Sequence, residues 1–242
     1  MNITAKQWKR YIDLRKQLRG KARDEMQEWI DQNGLTDIEA AINMAHALIT
    51  RYGEGEAAVA AEMYDAIANA EGARVPEAIA AEPATKIETE IAVKQALKFS
   101  PAGRTVPGKV EMMVKQAGED TIIQNAKRDK AEFAWIPSGG ETCAFCLTLA
   151  SNGWRRASKK TIQGNHATHI HANCDCSFAI RFNSSTEIAG YDPDKYLKLY
   201  QDADGHNSHT KINYMRREMY KDNKDDLNAR RRKIYEEDHK DD

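Results

Sequence analysis

The chain has no apolar run near the ~18 residues that a membrane-spanning helix needs. Its first twenty residues, MNITAKQWKRYIDLRKQLRG, hold no apolar core of the secretory-signal kind. The expectation is a soluble chain with no membrane partner, made in a reducing cytosol. An excess of one charge is also missing: 36 Lys and Arg face 37 Asp and Glu, for a net charge of -1. That balance argues against wrapping nucleic acid, and no acidic tail stands out. A glycine-rich phosphate loop, paired carboxylates in a known frame and a Ser–His–Asp signature are all absent, so no enzyme class announces itself. Internal repeats are absent too. Hydrophobic residues make up 41% and charged residues 30%, so we expect extended helices that leave much surface in water.

What is present begins with helix signals. Thr4 with Gln7, Thr36 with Glu39, and Thr85 with Glu88 have capping-box spacing, in which a hydroxyl and an acid or amide satisfy the orphan N–H groups of a first turn. Trp8, Tyr11, Ile12, Leu14 and Leu18 recur at helical spacing, and Met26, Trp29 and Ile30 extend the pattern to a break at Asn33-Gly34. Ile38, Ile42, Ala45, Ile49 and Tyr52 form the next stripe. The sequence YGEGE then predicts a helical hairpin around Gly53 and Gly55, with Val59, Met63, Tyr64 and Ile67 on its second arm. These stripes are core-packing faces. Pro76 and Pro83 mark a connection, and a helix follows from about Thr85 to Phe99. SPAGRTVPGK reads as a loop and as the best domain boundary. Beyond it, VEMMVKQAGEDTIIQNAKRDK predicts one or two helices, and EFAWIP and SFAIRF each predict a short strand. Asp192-Pro193 suits a helix start. From about Asn207 the chain is helical in propensity but polar. Ile212, Met215, Met219, Leu227 and Ile234 form only a thin stripe, which we expect to dock on a neighbouring subunit or to fray.

Cysteine is scarce, and its placement is the strongest chemical signal. All four cysteines lie between Glu141 and Phe178. Cys143 and Cys146 form a C-x2-C pair; Cys174 and Cys176 form a C-x-C pair, with His171 just ahead and His166 and His169 further upstream. Zinc takes four such donors in a tetrahedron. Cys143, Cys146, His171, Cys174 and Cys176 offer five donors for four places. The favoured set is Cys143, Cys146 and Cys176 with one of His171 or Cys174. Two other readings stand beside it: reduced, packed thiols or an oxidisable pair without metal, and a catalytic centre. Catalysis has little support. The H-x-E and P-C-x-x-C elements of zinc deaminases are missing, with Thr142 ahead of Cys143, and so is H-E-x-x-H. No clear βαβ pattern frames the cysteines for redox chemistry. The enzyme alternative is a metal-dependent nuclease of the His-metal-finger type, with His169 or His171 of HIHAN catalytic.

The segment WIPSGGETCAFCLTLASNGW, a basic linker, HATHIHANCDC and then RF together resemble the C-terminal module of phage minor head proteins of the Mu F-like type. In that family a C-x2-C element is followed by a closing H-P-N-C-R-C element, which here reads His171-Ala172-Asn173-Cys174-Asp175-Cys176. Ala172 departs from proline and Asp175 from arginine. GYDPDKYLKLY and the polar C-terminal helix are similar to minor capsid proteins encoded by prophages of Gram-positive hosts. The resemblance covers roughly residues 130–220. It implies a virion component, assembled in the host bacterial cytoplasm, that associates with portal and capsid proteins in head morphogenesis or DNA packaging and delivery, and that is not an enzyme.

The expected architecture is mainly α: a helical region over 1–100, a linker and connecting helix over 101–130, a small α+β Cys/His module of zinc-knuckle type over 131–190, and a helical extension over 191–242. Self-association is expected through the C-terminal helix. DNA contact is not indicated: Arg155, Arg156, Lys159 and Lys160, between the cysteine pairs, read first as a solvated loop.

Overall fold

The computed structural model describes residues 4–100, 103–138, 142–162, 176–188, 190–222, 224–225, 228–229 and 232. The chain is mainly helical. Helix α1 spans Ala5–Asn33, α2 Ile38–Ala70, α3 Lys86–Phe99 and α4 Val106–Asp129. Strand β1 (Glu132–Pro137) follows, then α5 (Ala144–Ala150), β2 (Arg155–Arg156), α6 (Lys159–Ile162) and β3 (Cys176–Arg181). Two further helices, α7 (Pro193–Asp202) and α8 (Ser208–Asp222), complete the described order.

Local chemistry explains most helix ends. Thr4 and Thr85 form the expected capping boxes with Gln7 and Glu88. The third expected box does not form. Asp37 caps α2 instead, its carboxylate accepting from Ala40 N. An acid one residue closer to the first turn makes the same hydrogen bond and adds a favourable charge at the positive helix end. Glu39 turns outward to Lys86, 3.0 Å away. Gly34 ends α1 in the left-handed region, with φ 67° and its N–H on the Ile30 carbonyl.

The expected hairpin at Gly53 and Gly55 is corrected: α2 runs unbroken through both. Gly53 is there for close approach. A Cβ at Gly53 would stand 3.0 Å from Pro83 Cβ and 3.6 Å from Ala117 Cβ. Its missing side chain lets the 72–85 connection and α4 press against α2. Helix α4 starts inside the segment expected as a loop, with Pro107 in its first turn, and continues as one helix to Asp129.

Helices α1, α2 and α4 form a bundle whose apolar core has two parts. One gathers Trp8, Tyr11 and Ile12 with Ala60, Tyr64, Ile67, Ile122 and Ala126, and runs into the sheet through Phe133, Ile136 and Phe178. The other gathers Ala22, Met26, Ile42, Ile49, Val110 and Val114 with Val93 and Ala96 of α3. The order of these residues makes α1 antiparallel to α2 and α4. Between the two parts sits a buried ionic layer. Arg15 Nε donates to Glu56 Oε1 at 2.8 Å, and Arg15 Nη2 pairs with Glu119 Oε1 at 3.0 Å without hydrogen-bond alignment. Burial works against the Arg15 cation, but the Glu119 and Glu56 carboxylates outweigh it and hold its proton more tightly than water does.

The sheet has the order β2-β1-β3, both pairings antiparallel, with Trp135 opposite Phe178 and Pro137 opposite Cys176. It packs on the bundle end that holds Trp8 and Ile122. The thin apolar stripe of the C-terminal helix finds its partner inside the chain. Ile212, Met215 and Met219 of α8 pack on Ala144 and Leu147 of α5 and on Tyr200 and Ala203. This stretch therefore has an intrachain seat on α5, which the sequence expectation of a neighbouring subunit or fraying left out. Leu227 and Ile234 lie outside the described residues.

Candidate metal centre

The C-x2-C pair is shaped by the start of α5. Cys143 is the N-cap, and its sulfur accepts the N–H of Cys146 at 3.4 Å. That bond folds the two cysteines back over one turn. An N–H aimed at a sulfur also favours the thiolate that metals require. Cys176 arrives from the other direction, at the start of β3. Its sulfur stands 3.3 Å from that of Cys146, a contact rather than a disulfide bond, whose sulfurs lie about 2.05 Å apart. Cys146 and Cys176 are buried, Cys143 is half-buried, and Met112 of α4 and Trp135 of β1 wall them in.

Two of the five expected donors, Cys146 and Cys176, therefore meet although 30 residues separate them, and a third, Cys143, packs beside them. They are the three of the favoured set. The remaining two, His171 and Cys174, lie outside the described residues, as do His166 and His169. Among the described residues alone, no group of three or more His, Cys, Asp and Glu side chains forms a ready metal site.

The surroundings of the thiols include charges that sequence reasoning missed. The Lys115 ammonium donates to the Cys176 carbonyl, and Glu119 Oε2 accepts the Phe178 N–H at 3.0 Å. Lys115, Glu119 and Cys176 are 3%, 1% and 2% exposed. Both charged residues lie on α4, one turn apart. Their signal in the sequence is faint. Lys115, Glu119 and Asn125 fall on the inward side of a helix that is buried nearly all round, so they interrupt the apolar stripe that would have announced it. Just beyond β3, Glu71 Oε2 accepts the N–H groups of Phe182 and Asn183.

The basic linker is partly structured. Arg155 and Arg156 form β2 against Phe133 and Glu132 and are exposed. The side chains of Lys159 and Lys160 are outside the described set. An open groove of about 450 Å³ lies between α3 and α4, lined by Glu88, Ile91, Gln95, Met113 and Asp120 among others, and Met112 borders both it and the thiols. No helix is long and apolar enough to cross a membrane among the described residues.

Comparison with known proteins adds a lineage. The chain is 28% identical over 153 residues to the Gene 15 protein of Mycobacterium phage D29, an alignment covering 50% of this chain and 55% of that protein. It thus spans about half the length of that relative. No solved structure matches it. Residues 2–203 match the VG15 protein family. With the match running through most of its length, the chain belongs to the VG15 protein family.

Proposed function

We propose that this chain is a minor head protein of a phage virion, of the Mu F-like type, from a phage of a Gram-positive host. In this reading it associates with portal and capsid proteins in head assembly or in DNA packaging and delivery, and it acts by binding rather than by catalysis. The observation that carries the reading is the family match across residues 2–203 together with a phage-encoded relative. The motif around Cys143, Cys146 and Cys174-Asp175-Cys176 points the same way.

The Cys/His module is the rigid part of this proposal, and zinc is its staple. The support is the meeting of Cys146 and Cys176, both buried and with their sulfurs 3.3 Å apart, beside the half-buried Cys143. Cys143, Cys146 and Cys176 would hold the ion, with the fourth place filled by His171 or Cys174. A bound zinc ion supplies a cross-link between chain segments distant in sequence, which is folding free energy for a module with a small core. The protein side supplies the rest: Cys143 orders the turn through the Cys146 N–H, while Met112 and Trp135 keep water from the sulfurs.

Mass spectrometry of purified virions tests the role. The chain should be recovered with the portal and capsid proteins, at low copy. Its recovery only from lysed host cytoplasm, with virions free of it, would contradict the reading. The nuclease alternative rests on His169 and His171, and a plasmid-nicking assay with magnesium or manganese addresses it. Nicking that is lost in a folded His171→Ala variant would replace the structural role with an enzymatic one.

A further inference from the structure

Helix α3 turns three large apolar side chains to water. Ile87, Ile91 and Phe99 are 70%, 52% and 88% exposed, and Phe99 is the most exposed large apolar side chain among the described residues. Such residues scattered singly need no explanation, but three on one short helix mark a contact surface. Ile87 and Ile91 stand one turn apart on its outer side, and Lys94 and Lys98 continue their stripe. Glu88, Ile91, Ala92 and Gln95 line the open groove against α4. Phe99 falls one turn further along that same side of the helix. The groove reaches the start of α3, where Pro83, Ala84 and Ala117 line it. Helix α3 thus has an apolar hollow at its first end and an unmatched aromatic ring at its last.

Charge follows the same polarity. Glu88 and Glu90 lie in the first half of α3, Lys94 and Lys98 in the second. Lys86, also in the first half, is drawn off to Glu39 of α2. We propose that α3 is a self-association surface, on which a second copy of this chain packs its own α3 end for end. That arrangement sets the lysines of each helix against the acids of the other. It also lays each Phe99 over the hollow at the other's first end, and brings Ile91 near its own counterpart at the middle. The relation is a two-fold, so every contact is made twice. The exposed Glu90–Lys94 pair along each helix joins its copy in a ring of four alternating charges. The aliphatic stem of Lys98 covers Ile87 of the other copy. The helix has 14 residues, about 21 Å of contact length. The pairing is therefore weak, with a Kd of about 10 μM. It does not involve the thiol cluster.

Sedimentation velocity of the full chain, purified reduced and run as a concentration series at low salt, tests this. The natural chain should pass from monomer to dimer through about 10 μM. Phe99→Ala and Ile91→Glu should each weaken the dimer about tenfold or more, while the melting temperature of the dilute monomer stays unchanged. Leu199→Ala, at an exposed site on α7, should leave the dimer as it was. A charge exchange tests the end-for-end order. Glu90→Lys alone and Lys94→Glu alone each place like charges opposite one another, so each should be monomeric. Mixed in equal amounts, the two variants should pair with each other about as well as the natural chain. A natural chain that stays monomeric to about 300 μM would overturn the proposal and leave the face to a different protein. A dimer that survives Phe99→Ala and Ile91→Glu would overturn it as well, by placing the contact elsewhere. Two charge variants that remain monomeric when mixed would contradict the end-for-end packing.

Discussion

Gly118 stands where α4 passes closest to the buried ions. A Cβ there would meet Arg15 Nη2 at 2.5 Å and Glu56 Cγ at 2.7 Å. Neither atom is loose, because Arg15 is tied to Glu56, Glu119 and Tyr11. Gly118→Ala should therefore destabilise the chain by about 2–3 kcal/mol through overpacking. Gly108, on the same helix, has open space around its missing side chain. Gly108→Ala should be neutral or stabilising by up to about 1 kcal/mol, since it lowers the entropy of the unfolded chain. Thermal melts of both variants check the pair; equal shifts would remove the argument that the ionic layer is tightly packed at Gly118. The composition gives no hint of this difference. Both glycines sit in a helical pattern, and only the approach of Arg15 from α1 distinguishes them.

Among the elements, α3 is seated on α4 across the open groove, and Asp120 is its sensitive point. Burial pushes the Asp120 carboxyl up to about 6; the Gln116 amide, donating at 2.9 Å, pulls the other way, and the nearby Glu119 charge adds to the rise. A carboxyl raised above its unfolded value of about 4 stabilises the fold below that value and loses its contribution as pH climbs through about 6. An asparagine side chain in its place stays neutral throughout. Asp120→Asn should match the natural chain near pH 3 and exceed it at pH 8, by on the order of 1–2 kcal/mol, which is a few degrees in melting temperature. A gap that stays constant with pH would show that Asp120 titrates normally. The elements themselves were legible where local chemistry decides them. The boxes at Thr4 and Thr85, the break at Gly34, the strands EFAWIP and SFAIRF and the Asp192 cap are all set by neighbours in sequence. What was hidden depends on neighbours in space. Gly53 reads as a hairpin turn until Pro83 and Ala117 are known to press against it. Helix α4 reads as fragments because its Lys115, Glu119 and Asn125 face inward to partners from other elements.

For the whole molecule, the thiol cluster joins parts that the chain order separates. Helix α4 walls it with Met112, β1 with Trp135, α5 brings two sulfurs and β3 a third. Helix α8 then closes over the far side of α5. The spacing of the cysteine pairs suggested that they belong together, and of the second pair the described residues place Cys176 beside Cys146. It did not announce that the backbone of β3, at Cys176 and Phe178, would be bonded to Lys115 and Glu119 of the helical bundle. The helical bundle and the thiol-bearing elements pack as one unit, with β1 and β3 joined to the bundle through a shared apolar core. The central claim is that the cluster is a metal staple. The most direct measurement is zinc content of the full chain purified under reducing conditions, alongside Cys146→Ser. The account predicts about one zinc per chain, lost in the variant. Less than about one tenth of an equivalent in the natural chain would contradict it.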